Sequence, residues 1–184
     1  MSTKIVDYDK SFASYKGRTK SGVLKVDCWS DKNELKPNQI YKGSHKIYKF
    51  NCPECNHEFT SKPSMIKKGN WCCYCGRNKL CDDDDCEICF EKSFASYEGK
   101  TRSGKLKVDC WSKDNEKNPR EVTKYSKKVY KFKCDICNHD FRSSCLGDIT
   151  TRNTWCPYCS NQKLCDDIDC EFCFENSFAS YKGK

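Results

Sequence analysis

The chain repeats itself, and the repeat carries its cysteines with it. The stretch KSFASYKGRTKSGVLKVDCWSDKNE from Lys10 returns from Lys92 as KSFASYEGKTRSGKLKVDCWSKDNE. An offset of 82 residues holds from there to Phe59/Phe141; two extra residues then enter the second copy, and an offset of 84 runs from Trp71/Trp155 to Glu91/Glu175. A third copy opens at Asn176 as NSFASYKGK. Self-similarity at a fixed period marks a tandem of like modules rather than one large domain. The expected organisation is a tail over 1–9, repeats over 10–91 and 92–175, and the start of an incomplete third repeat over 176–184, either a fragment of a longer array or an unfinished unit.

Comparing the copies shows which thiols matter. Of 18 cysteines, eight in each copy correspond: Cys28, Cys52, Cys55, Cys72, Cys75, Cys81, Cys86 and Cys89 with Cys110, Cys134, Cys137, Cys156, Cys159, Cys165, Cys170 and Cys173. Cys73 and Cys145 are left over. So high a cysteine content signals a disulfide scaffold or a metal protein. A disulfide framework belongs to an oxidising compartment and usually follows a secretory signal. Met1 to Lys10 is polar, and no segment approaches the roughly 18 apolar residues of a membrane span. Apolar residues make up 36% and charged residues 33% of the chain, too little apolar surface for modules of this size to rest on a core alone. Metal ligation fills that gap in small domains, and structural zinc can contribute on the order of 10 kcal/mol.

Two C-x2-C pairs build the first expected site of each copy: Cys52/Cys55 with Cys72/Cys75, and Cys134/Cys137 with Cys156/Cys159. The pairs are separated by 16 and 18 residues, spacing that suits structural zinc. Four thiolates close a tetrahedral sphere and leave no place for water, so the metal is structural. Alternation around the first pair (HKIYKF before it, HEFT after it) predicts a hairpin with the zinc knuckle at its tip. His57 and His139 recur just after the knuckle; with four thiolates to hand, they read as packing or supporting groups rather than ligands.

The second expected site starts from a trio, Cys81/Cys86/Cys89 and Cys165/Cys170/Cys173, which lacks a fourth ligand. Counting thiols leaves Cys28 or Cys110. Two wirings are open. Within a copy, Cys28 completes the first trio and Cys110 the second. Across the repeat boundary, Cys110 completes the first trio over 20 intervening residues, a shorter loop that closes at lower entropic cost. The remaining reading makes Cys28 and Cys110 buried thiols beside a core Trp. Depending on the wiring, the chain takes two to four Zn2+ ions. Trp29, Trp71, Trp111 and Trp155 each adjoin one of these cysteines and are expected to shield metal.

The assembled order is SFAS, W-S-x-x-N-E, an aromatic-lysine strand, C-x2-C-N-H-x-F, W-C-x-Y-C and K-L-C-x4-C-x2-C-F. It resembles the treble-clef or zinc-ribbon repeat family found in tandem in large DNA viruses and beside nuclease domains. The resemblance covers both copies. It implies a small zinc-stabilised α+β fold, with tandem treble-clef/zinc-ribbon-like modules built on β-hairpins with zinc knuckles. It also implies a DNA- or RNA-directed role, and a reducing intracellular setting (host cytoplasm or nucleus for a viral chain). In that family a His often stands where this chain has Tyr15, Tyr97 and Tyr181, so Cys28 and Cys110 would replace a usual His ligand.

A formal charge of +8 invites a polyanion partner, but zinc-bound cysteines are thiolates. Four tetracysteine sites bring the total to zero and two bring it to +4, so local distribution must decide. Basic and aromatic residues interleave along each hairpin, and Lys46, Lys49, Lys127, Lys128, Lys131 and Lys133 are the candidate nucleic-acid contacts, with aromatics able to stack on bases. The bland counterpart is a solvated strand face with its aromatics turned inward. Asp82 to Asp85, and Asp166, Asp167 and Asp169, would repel phosphate or simply solvate a tight loop. A protein-interaction scaffold, or the zinc-finger portion of a longer nuclease, is the alternative. The chain itself shows no catalytic set: the deaminase pattern is absent, and one recurring His is too little for a metal-dependent nuclease. No membrane partner is expected, and oligomeric state is not legible in the sequence.

Overall fold

The computed structural model describes residues 6–76 and 79–182; the first five residues of the tail and the last two of the third copy lie outside the described residues. The chain divides into two compact units, 1–79 and 80–184. That division falls ahead of the repeat boundary at 91/92, so the cysteine trio that ends the first copy belongs with the second unit. No helix among the described residues is long and apolar enough to cross a membrane.

In the first unit an antiparallel hairpin joins β1, Tyr48–Asn51, to β2, Glu58–Ser61, with Phe50 opposite Phe59 and Asn51 opposite Glu58. Its tip is the knuckle Cys52-Pro-Glu-Cys-Asn-His57. Asn56 takes a positive φ of 54°, a conformation Asn tolerates because its short polar side chain suits the left-handed region. That residue turns the chain so that the Asn56 N–H reaches Cys52 O at 2.8 Å and the Cys52 N–H reaches His57 O at 2.9 Å. Helix α1, Pro63–Lys67, follows; it starts on proline, whose missing N–H costs nothing there, and ends on Gly69 at φ 95°.

Phe50 is the centre of the core. Trp29, Phe59, Phe12 and Trp71 surround it at ring-centroid distances of 5.1, 5.7, 5.8 and 5.9 Å. Phe12 comes from the SFAS motif, a single 3-10 turn whose N–H pairs with Ile40 O, and Tyr15 just after it donates its hydroxyl to Ile66 O at 3.2 Å, tying the motif to the end of α1. Tyr15 is therefore a brace.

The second unit opens with helix α2, Glu87–Phe90, and then repeats the plan. Strands β3, Lys131–Lys133, and β4, Asp140–Arg142, pair with Phe132 opposite Phe141; Asn138 takes φ 59° at the knuckle. Helix α3, Leu146–Thr151, has six residues against five in α1 and lies in the segment that holds the two extra residues. Helix α4, Glu171–Glu175, ends the copy. Phe132 is fully buried, packed by Trp111, Trp155, Phe141 and Phe94, and the Tyr97 hydroxyl donates to Ile149 O. Truncating this centre should be costly: Phe132→Ala is expected to lower the stability of the zinc-loaded second unit by about 3–5 kcal/mol in denaturant unfolding. Val129→Ala, at an exposed site on the same strand approach, should change it by less than about 0.5 kcal/mol.

Candidate metal centres

The knuckle at each hairpin tip meets the W-C-x-Y-C turn. In the first unit the sulfurs of Cys52, Cys55, Cys72 and Cys75 all lie within 4.8 Å of one another, with Cys52–Cys75 at 3.4 Å and Cys55–Cys72 at 3.6 Å. In the second unit Cys134, Cys137, Cys156 and Cys159 do the same, with Cys134–Cys159 and Cys137–Cys156 both at 3.5 Å. A zinc tetrahedron with arms of about 2.3 Å has edges near 3.8 Å, so these sulfur sets fit one ion each. None of the 18 cysteines is in a disulfide. Burial pushes the thiols of Cys72 and Cys156 up to about 12. Such thiols stay protonated at neutral pH without metal, so zinc must displace their protons, and affinity rises with pH.

The second type of centre differs from the sequence expectation. In the second unit Cys165, Cys170 and Cys173 cluster with His139, not with Cys110. His139 Nε2 lies 3.4 Å from Cys170 Sγ and 3.5 Å from Cys173 Sγ. The imidazole is held flat against Tyr158, centroids 4.2 Å apart, with Phe172 of α4 at its edge. Cys170 precedes α4 and Cys173 lies buried within it, accepting the Cys165 N–H at 3.3 Å. Three soft sulfurs and one imidazole nitrogen make a closed Cys3His site, again without room for a reactive water. The aspartates shape the loop: Asp167 accepts the Asp169 N–H at 3.1 Å, as Asp83 accepts that of Asp85.

Cys28 and Cys110 are the correction. Both are buried, and each thiol turns back on its own turn, Cys28 towards Leu24 O at 3.6 Å and Cys110 towards Leu106 O at 3.8 Å. Neither joins any four-donor group among the described residues. The trailing Trp29 and Trp111 serve the core, each donating its indole N–H to a loop carbonyl, Leu35 and Lys117. Thiol counting misled because the fourth donor is a nitrogen. The signal was present: of three histidines in the chain, two sit at the same place in C-N-H. The first copy carries the corresponding residues His57, Cys81, Cys86 and Cys89 in its sequence. If each copy takes two ions on its seven thiolates and one His, fourteen thiolates and four dications would bring the formal charge from +8 to +2.

The hairpin lysines divide. Lys46, Lys127, Lys128 and Lys133 are exposed and outside every ion pair among the described residues. Lys49 pairs with Glu58 at 3.9 Å, and Lys131 with Asp114 at 3.5 Å. The interleaved aromatics face inward: Phe50 and Phe132 are fully buried, and Tyr48 and Tyr130 pack on Trp29 and Trp111. They are not a base-stacking platform. A second basic element went unnoticed in the sequence. The tight loop R-T-K-S-G of the first unit and K-T-R-S-G of the second each turn at a left-handed glycine, Gly22 and Gly104, and expose Arg18 and Lys20, or Lys100 and Arg102. A knuckle carboxylate anchors each loop. Glu54 accepts the Ser21 N–H and hydroxyl at 3.1 Å, and Asp135 accepts the Thr101 hydroxyl at 2.7 Å and that of Ser103.

Zinc counting by native mass spectrometry separates the ligand sets. The chain is expected to hold four ions; His139→Ala should hold three, while Cys110→Ser should still hold four. Lowering the pH should release zinc, with proton uptake by the freed thiols, and raising it should restore binding.

Residues 108–162 match a family described as "Probable Treble clef zinc finger domain". The chain is also 34% identical over 177 residues to an uncharacterized protein of Acanthamoeba polyphaga mimivirus, covering 94% of this chain and 39% of that protein. The match thus spans well under half the length of this relative. Knuckle hairpin, short helix and paired cysteine turns agree with that description over the matched residues, and the first copy follows the same plan, so the chain is similar to a tandem of treble-clef zinc finger modules.

Proposed function

We propose that these modules bind nucleic acid through its phosphate backbone, with zinc as scaffold rather than catalyst. The observation that carries this reading is an exchange between the two copies. Arg18 and Lys20 become Lys100 and Arg102: the residue types swap, and the two exposed positive charges remain. Retention of charge without retention of shape suits phosphate, which Lys and Arg both neutralise, better than a shaped protein pocket. Elsewhere charge drifts, as at Lys16 and Glu98. The exposed hairpin lysines add to the same sign. Inward-facing aromatics argue for backbone rather than base contacts. The closed donor sets of the three centres that lie within one unit support a binding module over an enzyme.

The test is a salt series on the zinc-loaded chain with single- and double-stranded probes. Affinity should fall as salt rises. Lys100→Glu with Arg102→Glu, and separately Lys127→Glu with Lys128→Glu, should weaken binding at least about tenfold. Each pair should also flatten the salt slope by about one for every phosphate it no longer neutralises, with zinc content unchanged. Binding that ignores both salt and charge reversal would favour a protein-interaction scaffold instead. That second reading draws on Ile47 and Val129, exposed apolar residues at the same position of both copies.

A further inference from the structure

Lys107 is 1% exposed, the least accessible charged residue among those described as buried. Placing an ammonium there costs several kcal/mol unless something offsets it. Its Nζ donates to Asn153 Oδ1 at 2.6 Å, faces the carbonyl oxygens of Asn153 and Thr154 at 3.4 Å, and lies 5.2 Å from the centre of the Trp155 ring. All of these are neutral partners. The cavity of about 350 Å³ that Lys107 helps to wall also bears Lys100 and Arg102, which add to the positive charge. Among its lining residues only Cys156 and Cys159 can become negative, and they do so when they bind metal.

The first unit isolates what matters. Lys25 is 8% exposed, lies 5.2 Å from the Trp71 ring centre, and shares a cavity of about 270 Å³ with Cys72 and Cys75. Gly69 stands where Asn153 stands, so the amide cap is not retained. Lysine, tryptophan and the cysteine pair are. Glu54 also lines this cavity, with its oxygens engaged by Ser21 and Cys52, and it adds negative charge to the cysteine side.

We infer that Lys25 and Lys107 are internal counter-cations of the two tetracysteine centres: each offsets part of the net −2 of a zinc tetrathiolate, tightening metal binding and damping thiolate reactivity. The lysine is a positioning residue, acting on the metal through charge. Its burial and the metal support each other, because the desolvated ammonium and the desolvated dianion are each costly alone.

The test uses the full zinc-loaded chain, with Lys107→Met and Lys107→Arg compared by chelator competition and by site-resolved alkylation. Lys107→Met is expected to weaken zinc at Cys134/Cys137/Cys156/Cys159 by about 10- to 100-fold and to speed alkylation of those four cysteines. The His139 site should be unmoved, and Lys107→Arg should restore most of the affinity. Unchanged affinity and alkylation in Lys107→Met would overturn the inference, as would equal losses in the Met and Arg variants, which would point to packing. If Lys107→Met does not fold, Lys25→Met and Lys25→Arg carry the same comparison to Cys52/Cys55/Cys72/Cys75 with the same two outcomes deciding.

Discussion

Sulfurs drawn within 4.8 Å of one another, four to a set, are a stable arrangement only with a cation among them; as thiolates they would otherwise repel, and as thiols they gain little from proximity. Everything else in each unit is arranged around that requirement. The hairpin brings one C-x2-C pair to its tip, a helix of five or six residues returns the chain, and the W-C-x-Y-C turn delivers the other pair. The aromatic core is a small cluster on one central Phe, flanked by two Trp rings. Metal coordination joins the hairpin to the turn across the edge of this cluster, which is why so short a set of elements can hold a defined shape.

The two copies act as a natural pair of variants on one scaffold. A left-handed position after the short helix is met by Gly69 in one and Asn153 in the other, since either residue accepts positive φ, and Asn153 then captures Lys107 as well. The loop anchor moves by one place: Glu54 is the second residue after Cys52, whereas Asp135 directly follows Cys134, yet both carboxylates reach the same Thr/Ser loop. The longer Glu side chain spans what the shorter Asp gains by position. Such exchanges separate what the module needs (a bond, a charge, a backbone conformation) from the residue that happens to supply it.

The structure also redistributes charge between interior and surface. Two lysines go inside beside the tetracysteine centres, three more are engaged by Glu58 and Asp114, and exposed cations are left on the hairpin approach and the glycine-turned loop. With the metal counted the molecule is close to neutral. Any attraction for a polyanion would therefore be local, and the proposed phosphate contacts lie on the exposed loop and hairpin surfaces.

From the sequence alone came the repeat, the paired C-x2-C sites, the knuckle-tipped hairpin and the clustering of free thiols rather than disulfides, because these rest on spacing, and spacing is a local property of the chain. Tertiary structure decided the rest. The choice of His139 over Cys110 depends on which side chain arrives beside a trio 26 or more residues further along the chain, and no count of thiols encodes that arrival. The inward turn of Tyr48, Phe50, Tyr130 and Phe132, and the burial of Lys25 and Lys107, follow from packing against residues distant in sequence. Periodicity can say that a strand has two faces. Only the fold says which face is covered, and by what.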